Sequence, residues 1–108
     1  MSGEEADLVS ACQSYVAAYY LGRAYLEPIG QRKARGSGTA IGAPDAILSY
    51  DGRVQCIEFK AADGRLSRGQ ELAARCRKDA GVETHVVRTL QEFADLLRPR
   101  QRGVARRR

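Results

Sequence analysis

Three residues with side chains suited to metal-assisted hydrolysis, Asp45, Glu58 and Lys60, lie around a predicted β-hairpin. Asp51-Gly52 joins two strand-like runs, and this pair is a favoured two-residue hairpin turn. Pairing the strands outward from that turn places Asp45 opposite Glu58. Directly opposed side chains have Cβ atoms about 5 Å apart, and like charges there are destabilising. The two carboxylates therefore need a compensating cation.

A divalent cation is one partner that fits this pair. Mg²⁺ prefers oxygen ligands, and proteins usually hold it with one or two carboxylates plus water and phosphate. Lys60 follows Glu58 by two residues and so points to the same face of the strand. It could orient an attacking water or neutralise phosphate charge beside the metal. The alternative is that Asp45 caps its strand while Glu58 pairs with Lys60 on a solvated face.

The sequence pattern predicts the helices and strands that would position these residues. They form one mixed α/β domain in the order α-β-β-β-α-β-α, with no internal repeat. Helical spacing of apolar residues and the flanking cap and stop residues predict the helices. Strand-forming runs bounded by turn residues predict the strands. The predicted helices run from Ser2 to Gly22, from Ser67 to Gly81 and from Thr89 to Pro99, and the predicted strands cover residues 24–29, 46–50, 53–60 and 82–88.

The apolar positions of the helices predict which residues face the core. In chain order these are Leu8, Val9, Cys12, Tyr15, Val16 and Tyr19, then Gly69, Leu72, Ala73, Cys76 and Ala80, then Leu90, Phe93, Ala94 and Leu97. The three cysteines are widely spaced, and the absence of a CxxC pair argues against a structural zinc site. We expect all three to be buried as small apolar residues of a protein in the reducing cytoplasm.

Positive charge is concentrated at one end of the chain. The net charge is +5, but residues 98–108 hold six arginines and no acid, while residues 1–97 carry 12 basic and 13 acidic residues. We therefore divide the chain into a folded body, residues 1–97, and a basic tail, residues 98–108. Such a tail indicates a nucleic-acid arm or a solubilising end. With no apolar run of about 18 residues and no secretory signal, a cytoplasmic protein is expected.

The motifs around the carboxylate pair resemble a known nuclease signature. PD at residues 44–45, followed after 12 residues by ExK at 58–60, resembles the PD-(D/E)xK pattern. The stretch GAPDAILSYDGRVQCIEFKAADGRLSRGQ is similar to the VRR-NUC branch in particular. That branch adds a glycine before the PD, a G-R-L-S loop and a following glutamine, which here is Gln70. The resemblance covers roughly residues 4–97.

The resemblance implies a restriction-endonuclease-like core, in which a mixed β-sheet is flanked by helices. It also implies a DNA endonuclease dependent on Mg²⁺ or Mn²⁺, acting in DNA repair on junction- or flap-like DNA with little sequence specificity. Small stand-alone members of this branch are similar to junction resolvases and are typically homodimers, so a homodimer is expected here. The expected location is the cytoplasm, or the host cytoplasm if the protein is viral. Two rival interpretations are a non-catalytic nucleic-acid-binding module on the same fold and a phage or mobile-element assembly protein that holds nucleic acid with its basic tail.

The same resemblance implies roles for individual residues. Asp45 and Glu58 would bind the metal with the backbone carbonyl of Phe59, Lys60 would position the water, and Gln70 would contact the site. A glutamate of the first helix belongs to the pattern too, and Glu5 fits better than Glu4, which points about 100° away from the apolar stripe. The predicted DNA contacts are Arg32, Lys33, Arg35, Arg98, Arg100 and Arg102.

Some of these residues also have purely structural interpretations. Ser2 to Glu5 fits the S-x-x-E capping box, and Ser67 to Gln70 fits S-x-x-Q. A capping glutamine could still reach the site, so the two roles are compatible. The basic loop at residues 32–35 could contact phosphates or simply be solvated.

Overall fold

The computed structural model describes residues 3–29 and 42–98, and within them the elements follow the predicted order α-β-β-β-α-β-α. Ser2, the basic loop and all of the tail beyond Arg98, including Arg100 and Arg102, lie outside the described residues. The elements are α1 Gly3–Tyr19, β1 Ala24–Pro28, β2 Ala46–Tyr50, β3 Arg53–Phe59, α2 Arg68–Asp79, β4 Thr84–Val87 and α3 Leu90–Leu96.

The strands of the described residues form one mixed sheet in the order β1-β2-β3-β4. The first three strands pair antiparallel, whereas β4 pairs parallel with β3. Two parallel strands cannot be joined by a tight turn, so the chain crosses over from β3 to β4 through α2. The sheet is therefore mixed and flanked by helices, which confirms the predicted fold class.

The β2–β3 hairpin has the register that the sequence predicted. Ala46 lies opposite Ile57, with the strands joined through Asp51 and Gly52. Both turn residues have positive φ, 57° at Asp51 and 75° at Gly52. This backbone is that of a type I′ turn, whose twist matches the twist of the paired strands. Local turn chemistry thus determines which residues meet across the hairpin.

The core lies between one face of the sheet and the helices α1 and α3. Its fully buried side chains include Cys12 of α1, Leu48 and Phe59 of the sheet, and Phe93 of α3. One prediction for α1 was wrong: Tyr19 is 66% exposed. The helix ends at Tyr19, and the next residue, Tyr20, packs against the core in its place.

The predicted inward face of α2 was also partly wrong. Leu72 and Cys76 are exposed, so Cys76 does not join Cys12 and Cys56 among the buried cysteines. The helix has no fully buried residue, because it packs against the segment before β2 and the edge strand β4 rather than across the sheet. Its contact face is formed by Gly69 and Ala73, which belong to the predicted stripe, whereas the larger residues of that stripe do not take part.

Within residues 3–29 and 42–98, no helix combines the length and apolar content that crossing a membrane requires.

Candidate metal and catalytic site

Asp45 and Glu58 lie close together just beyond Ala46 and Ile57, the last regular pair of the hairpin. The Asp45 N–H donates at 3.0 Å to the carbonyl of Ile57, the residue that is already paired with Ala46, so the pairing is offset by one residue at this point. The Phe59 N–H donates to Asp45 Oδ2 at 2.8 Å and holds that carboxylate against β3. The regular register ends at Ala46 opposite Ile57, so the predicted cross-strand pair of Asp45 and Glu58 is not part of the ladder. The two carboxyl groups nevertheless lie close enough to interact by charge and by a hydrogen bond.

Glu58 is a fully buried carboxyl group with an incomplete set of partners. Its side chain is 0% exposed, and its Oε2 atom accepts no hydrogen bond from the described residues. Burial, and then the charge and hydrogen bond of Asp45, raise the pKa of Glu58 from 4.5 to about 7, although the charges of Lys60 and Arg77 act in the opposite direction. A buried acid in this state is one that a cation would stabilise.

The donor atoms of this pair fit a hard divalent cation. Both residues present oxygen, and Glu58 Oε2 is an acceptor that the protein leaves unused. The part of the chain that the structure describes contains no cluster of three or more His, Cys, Asp or Glu able to enclose a metal. Two carboxylates with the remaining positions left to water and phosphate is the usual arrangement for Mg²⁺.

The raised pKa predicts how stability depends on pH without metal. Between pH 4.5 and about 7 the unfolded chain releases the Glu58 proton while the folded protein keeps it. Stability therefore falls as pH rises through this window and levels off above it. Glu58→Gln removes this cost. In chelator, its free energy of unfolding should match that of the wild type near pH 4 and exceed it by about 3 kcal/mol at pH 8.

Urea denaturation at a series of pH values measures this difference. Adding Mg²⁺ at pH 8 should stabilise the wild type and leave Glu58→Gln unchanged, since bound metal stabilises the folded state. A stability difference that stays constant across the pH range would show that Glu58 does not titrate in this window.

Gln70 contacts the site and caps α2 with the same amide group. Its Oε1 accepts from the Ser67 N–H at 2.9 Å, while the Ser67 hydroxyl accepts from the Gln70 N–H, completing the predicted capping box. With its oxygen engaged in this way, the amide turns Nε2 toward Glu58 and donates to Oε1 at 3.2 Å. The cap therefore orients the donor that holds Glu58.

Glu5 lies beside the site rather than in the carboxylate pair. Its Oε2 accepts from the Ala61 N–H at 3.3 Å, directly after Lys60 in the chain. Glu4 is exposed, so the choice of Glu5 as the inward glutamate of α1 agrees with the structure. Lys60 itself is half-buried, and its N–H donates to the Val87 carbonyl at 3.1 Å, so its backbone is fixed at the end of the sheet.

Sequence reasoning did not single out Arg77, although it contacts the segment that carries Asp45. Its guanidinium donates to the Gly42 carbonyl and to the Thr84 hydroxyl, both at 2.7 Å. In the sequence it resembles its neighbours Arg75 and Lys78. The one available signal was its position four residues after Ala73, on the face of small residues.

Of the predicted DNA contacts, Arg98 lies within the described residues. It is exposed and pairs with Asp95 at 3.1 Å. The remaining predicted contacts stay predictions from the sequence.

A comparison with solved structures agrees with this architecture. No protein-family model matches the sequence, and no curated protein matches it. A solved structure described as "VRR_NUC domain" aligns with a TM-score of 0.66 and 16% sequence identity, covering 88% of this chain and 95% of that one. The chain has the VRR_NUC fold. The fold implied by the motif resemblance is thereby confirmed.

Within the VRR_NUC fold of this chain, the carboxylate pair, Lys60 and Gln70 come from consecutive elements. Asp45 precedes β2, Glu58 and Lys60 lie at the end of β3, and Gln70 is in the first turn of α2. The crossover from β3 to β4 therefore brings the helix that carries Gln70 back to the strand that carries Glu58.

Proposed function

We propose that this protein is a DNA endonuclease that hydrolyses phosphodiester bonds with Mg²⁺ or Mn²⁺. The observation that carries the proposal is the buried carboxyl group of Glu58 beside Asp45. The Oε2 atom of Glu58 accepts no hydrogen bond from the described residues. Burying such a carboxyl group lowers the stability of the folded protein, and buried acids with shifted pKa values are concentrated in active sites. The VRR_NUC fold supports the nuclease assignment.

Each residue of the site has a distinct task in this proposal. Asp45 and Glu58, with the carbonyl of Phe59, would hold the metal, which when bound polarises the phosphate and lowers the pKa of a water ligand. Lys60 orients the attacking water. Gln70 keeps Glu58 in place through its 3.2 Å hydrogen bond, and Glu5 fixes the backbone after Lys60.

The proposed substrates are branched DNAs such as junctions and flaps. The candidate contacts outside the site are arginines and a lysine, which suit phosphates and carry no sequence information. Recognition would then depend on the shape of the DNA. A homodimer is part of the proposal, since two symmetric sites match the two-fold symmetry of a four-way junction.

The test is incubation of the purified protein with labelled duplex, flap, four-way junction and single-stranded DNA, with Mg²⁺, Mn²⁺ or chelator. We expect metal-dependent cleavage, most rapid on the flap or the junction. Binding to these DNAs without cleavage in either metal would contradict the proposal and favour the non-catalytic module.

The tail predicts a measurable salt effect on DNA binding. Residues 98–108 carry six arginines, and each neutralised phosphate contributes about −0.9 to the slope of log affinity against log salt. If three or four of them contact duplex DNA, truncation after Leu97 should reduce the magnitude of that slope by about 3. Fluorescence anisotropy over a range of salt concentrations measures the slope.

A variant with glutamine at all six arginine positions is the matched control for chain length. It should behave like the truncated protein, and both should still cut DNA at saturating substrate. An unchanged salt slope would show that the tail does not touch DNA. Loss of cleavage at saturation in a folded variant would show that the tail completes the site.

A further inference from the structure

Arg77 joins two segments that are far apart in the chain, close to the carboxylate pair. Its Nη2 donates to the Gly42 carbonyl and its Nη1 to the Thr84 hydroxyl, each at 2.7 Å. Gly42 precedes Asp45 by three residues, and Thr84 begins β4. One planar guanidinium therefore ties the approach to Asp45 to the edge strand.

The face of α2 next to this contact carries small residues, which let the segment around Gly42 approach the helix closely. Gly42 has a φ of +85°, and a Cβ built on it would lie 2.7 Å from the Gly69 carbonyl oxygen and 2.9 Å from the Ala73 Cβ. Gly69, Ala73 and Arg77 follow one another at four-residue intervals, so they share one helix face. Two small residues let the segment approach, and Arg77 then holds it by hydrogen bonds.

The same helix also holds the other carboxylate. Gln70 of α2 donates to Glu58 Oε1, while Arg77 and the Gly69–Ala73 surface fix the segment leading to Asp45. Both members of the pair are thus positioned from α2, although Glu58 belongs to β3 and Asp45 directly precedes β2.

We propose that Arg77 is a positioning residue for the metal site, which holds Asp45 at the distance from Glu58 that a divalent cation requires. This inference rests on the proposed function, because it assumes that the pair binds metal. Arg77 acts through Gly42 and touches neither the cation nor the DNA.

The charge of Arg77 and its hydrogen bonds predict opposite changes in metal affinity when Arg77 is replaced, which makes the proposal testable. The guanidinium is a cation near Glu58, so removing its charge should strengthen metal binding if electrostatics dominate. Removing its hydrogen bonds should weaken metal binding if positioning dominates. Partners that orient metal ligands typically contribute 10- to 100-fold in affinity.

Calorimetric titration with Mn²⁺ alone separates these effects in the full-length protein. We expect Arg77→Met to raise the dissociation constant about tenfold or more, despite the lost positive charge. Arg77→Lys keeps the charge but cannot reproduce the two-armed contact, so it should also weaken binding. Arg75→Met removes an exposed arginine from the same helix and should leave Mn²⁺ affinity unchanged. Circular dichroism at the titration temperature establishes that each variant is folded.

Unchanged or tighter Mn²⁺ binding by folded Arg77→Met would overturn the positioning role. If that variant does not fold, Arg77→Lys decides, because wild-type affinity in the lysine variant overturns the role as well. Glu58→Gln should abolish binding and so identifies the site. If Glu58→Gln abolishes Mn²⁺ binding but Arg77→Met does not weaken it, the metal site stands and only the role of Arg77 is refuted. If the wild-type protein binds no Mn²⁺, both the metal site and the role of Arg77 are refuted.

Discussion

Cleavage of every DNA substrate should fall at least a thousandfold in the Glu58→Gln variant at saturating Mg²⁺. Glutamine has nearly the same shape as the buried glutamate but lacks the negative charge that attracts the cation. A catalytic metal contributes several kcal/mol of transition-state stabilisation, and each 1.4 kcal/mol corresponds to a factor of ten in rate. Single-turnover cleavage of labelled DNA in Mg²⁺ measures this loss.

Three expected results distinguish a lost metal site from a damaged fold. Glu58→Gln should be at least as stable as the wild type, because it removes a buried acid whose pKa is raised to about 7. It should still bind DNA in the absence of metal. Glu27→Gln, the same change at an exposed position of β1, should cut normally. Near-normal turnover by folded Glu58→Gln would remove this residue from the chemistry.

The site could be located from the sequence because its geometry depends on a local turn. Asp51-Gly52 is one of few dipeptides that readily adopt positive φ at both positions, and the structure shows 57° and 75° there. A two-residue turn determines the strand register, so each later pair follows by counting. The structure follows this counting as far as Ala46 opposite Ile57 and shifts by one residue at Asp45, whose carboxylate still lies beside Glu58.

The packing of α2 could be predicted only in part: Gly69 and Ala73 of the predicted stripe form the contact, but Leu72 and Cys76 are exposed. An apolar stripe identifies a buried face only if the partner surface is apolar, and this helix packs against a backbone segment around Gly42. Close approach to backbone selects small residues, so Gly69 and Ala73 form the contact while Leu72 remains exposed. Arg77 was not identified because its partner Gly42 lies 35 positions away in the sequence.

Gln70 shows why a local motif and a site role need not compete. The S-x-x-Q pattern alone was enough to predict a cap, and the structure contains it. The sequence could not show whether the remaining amide hydrogens face solvent or Glu58, since that depends on how α2 is placed after the crossover. The observed bond to Glu58 uses the part of the amide that the cap leaves free.

Lys60→Met should slow the chemical step by roughly a hundredfold or more while changing DNA affinity little. Its backbone is fixed at the end of β3 by the hydrogen bond to Val87, and Glu5 binds the next N–H, so the side chain starts from a rigid position. A group that orients or activates the attacking water typically contributes 10²–10⁴-fold. The single-turnover rate at saturating DNA reports this step, and anisotropy reports affinity.

Two further variants separate chemistry from simple charge. Lys60→Arg keeps the charge but replaces a compact ammonium with a larger planar fork, so it should recover only part of the rate. Lys78→Met removes an exposed lysine from α2 and should leave the single-turnover rate at the wild-type value. If Lys60→Met instead cuts at the wild-type rate once saturated and shows weakened affinity alone, Lys60 is a phosphate contact. The attacking water would then be oriented by other groups at the site.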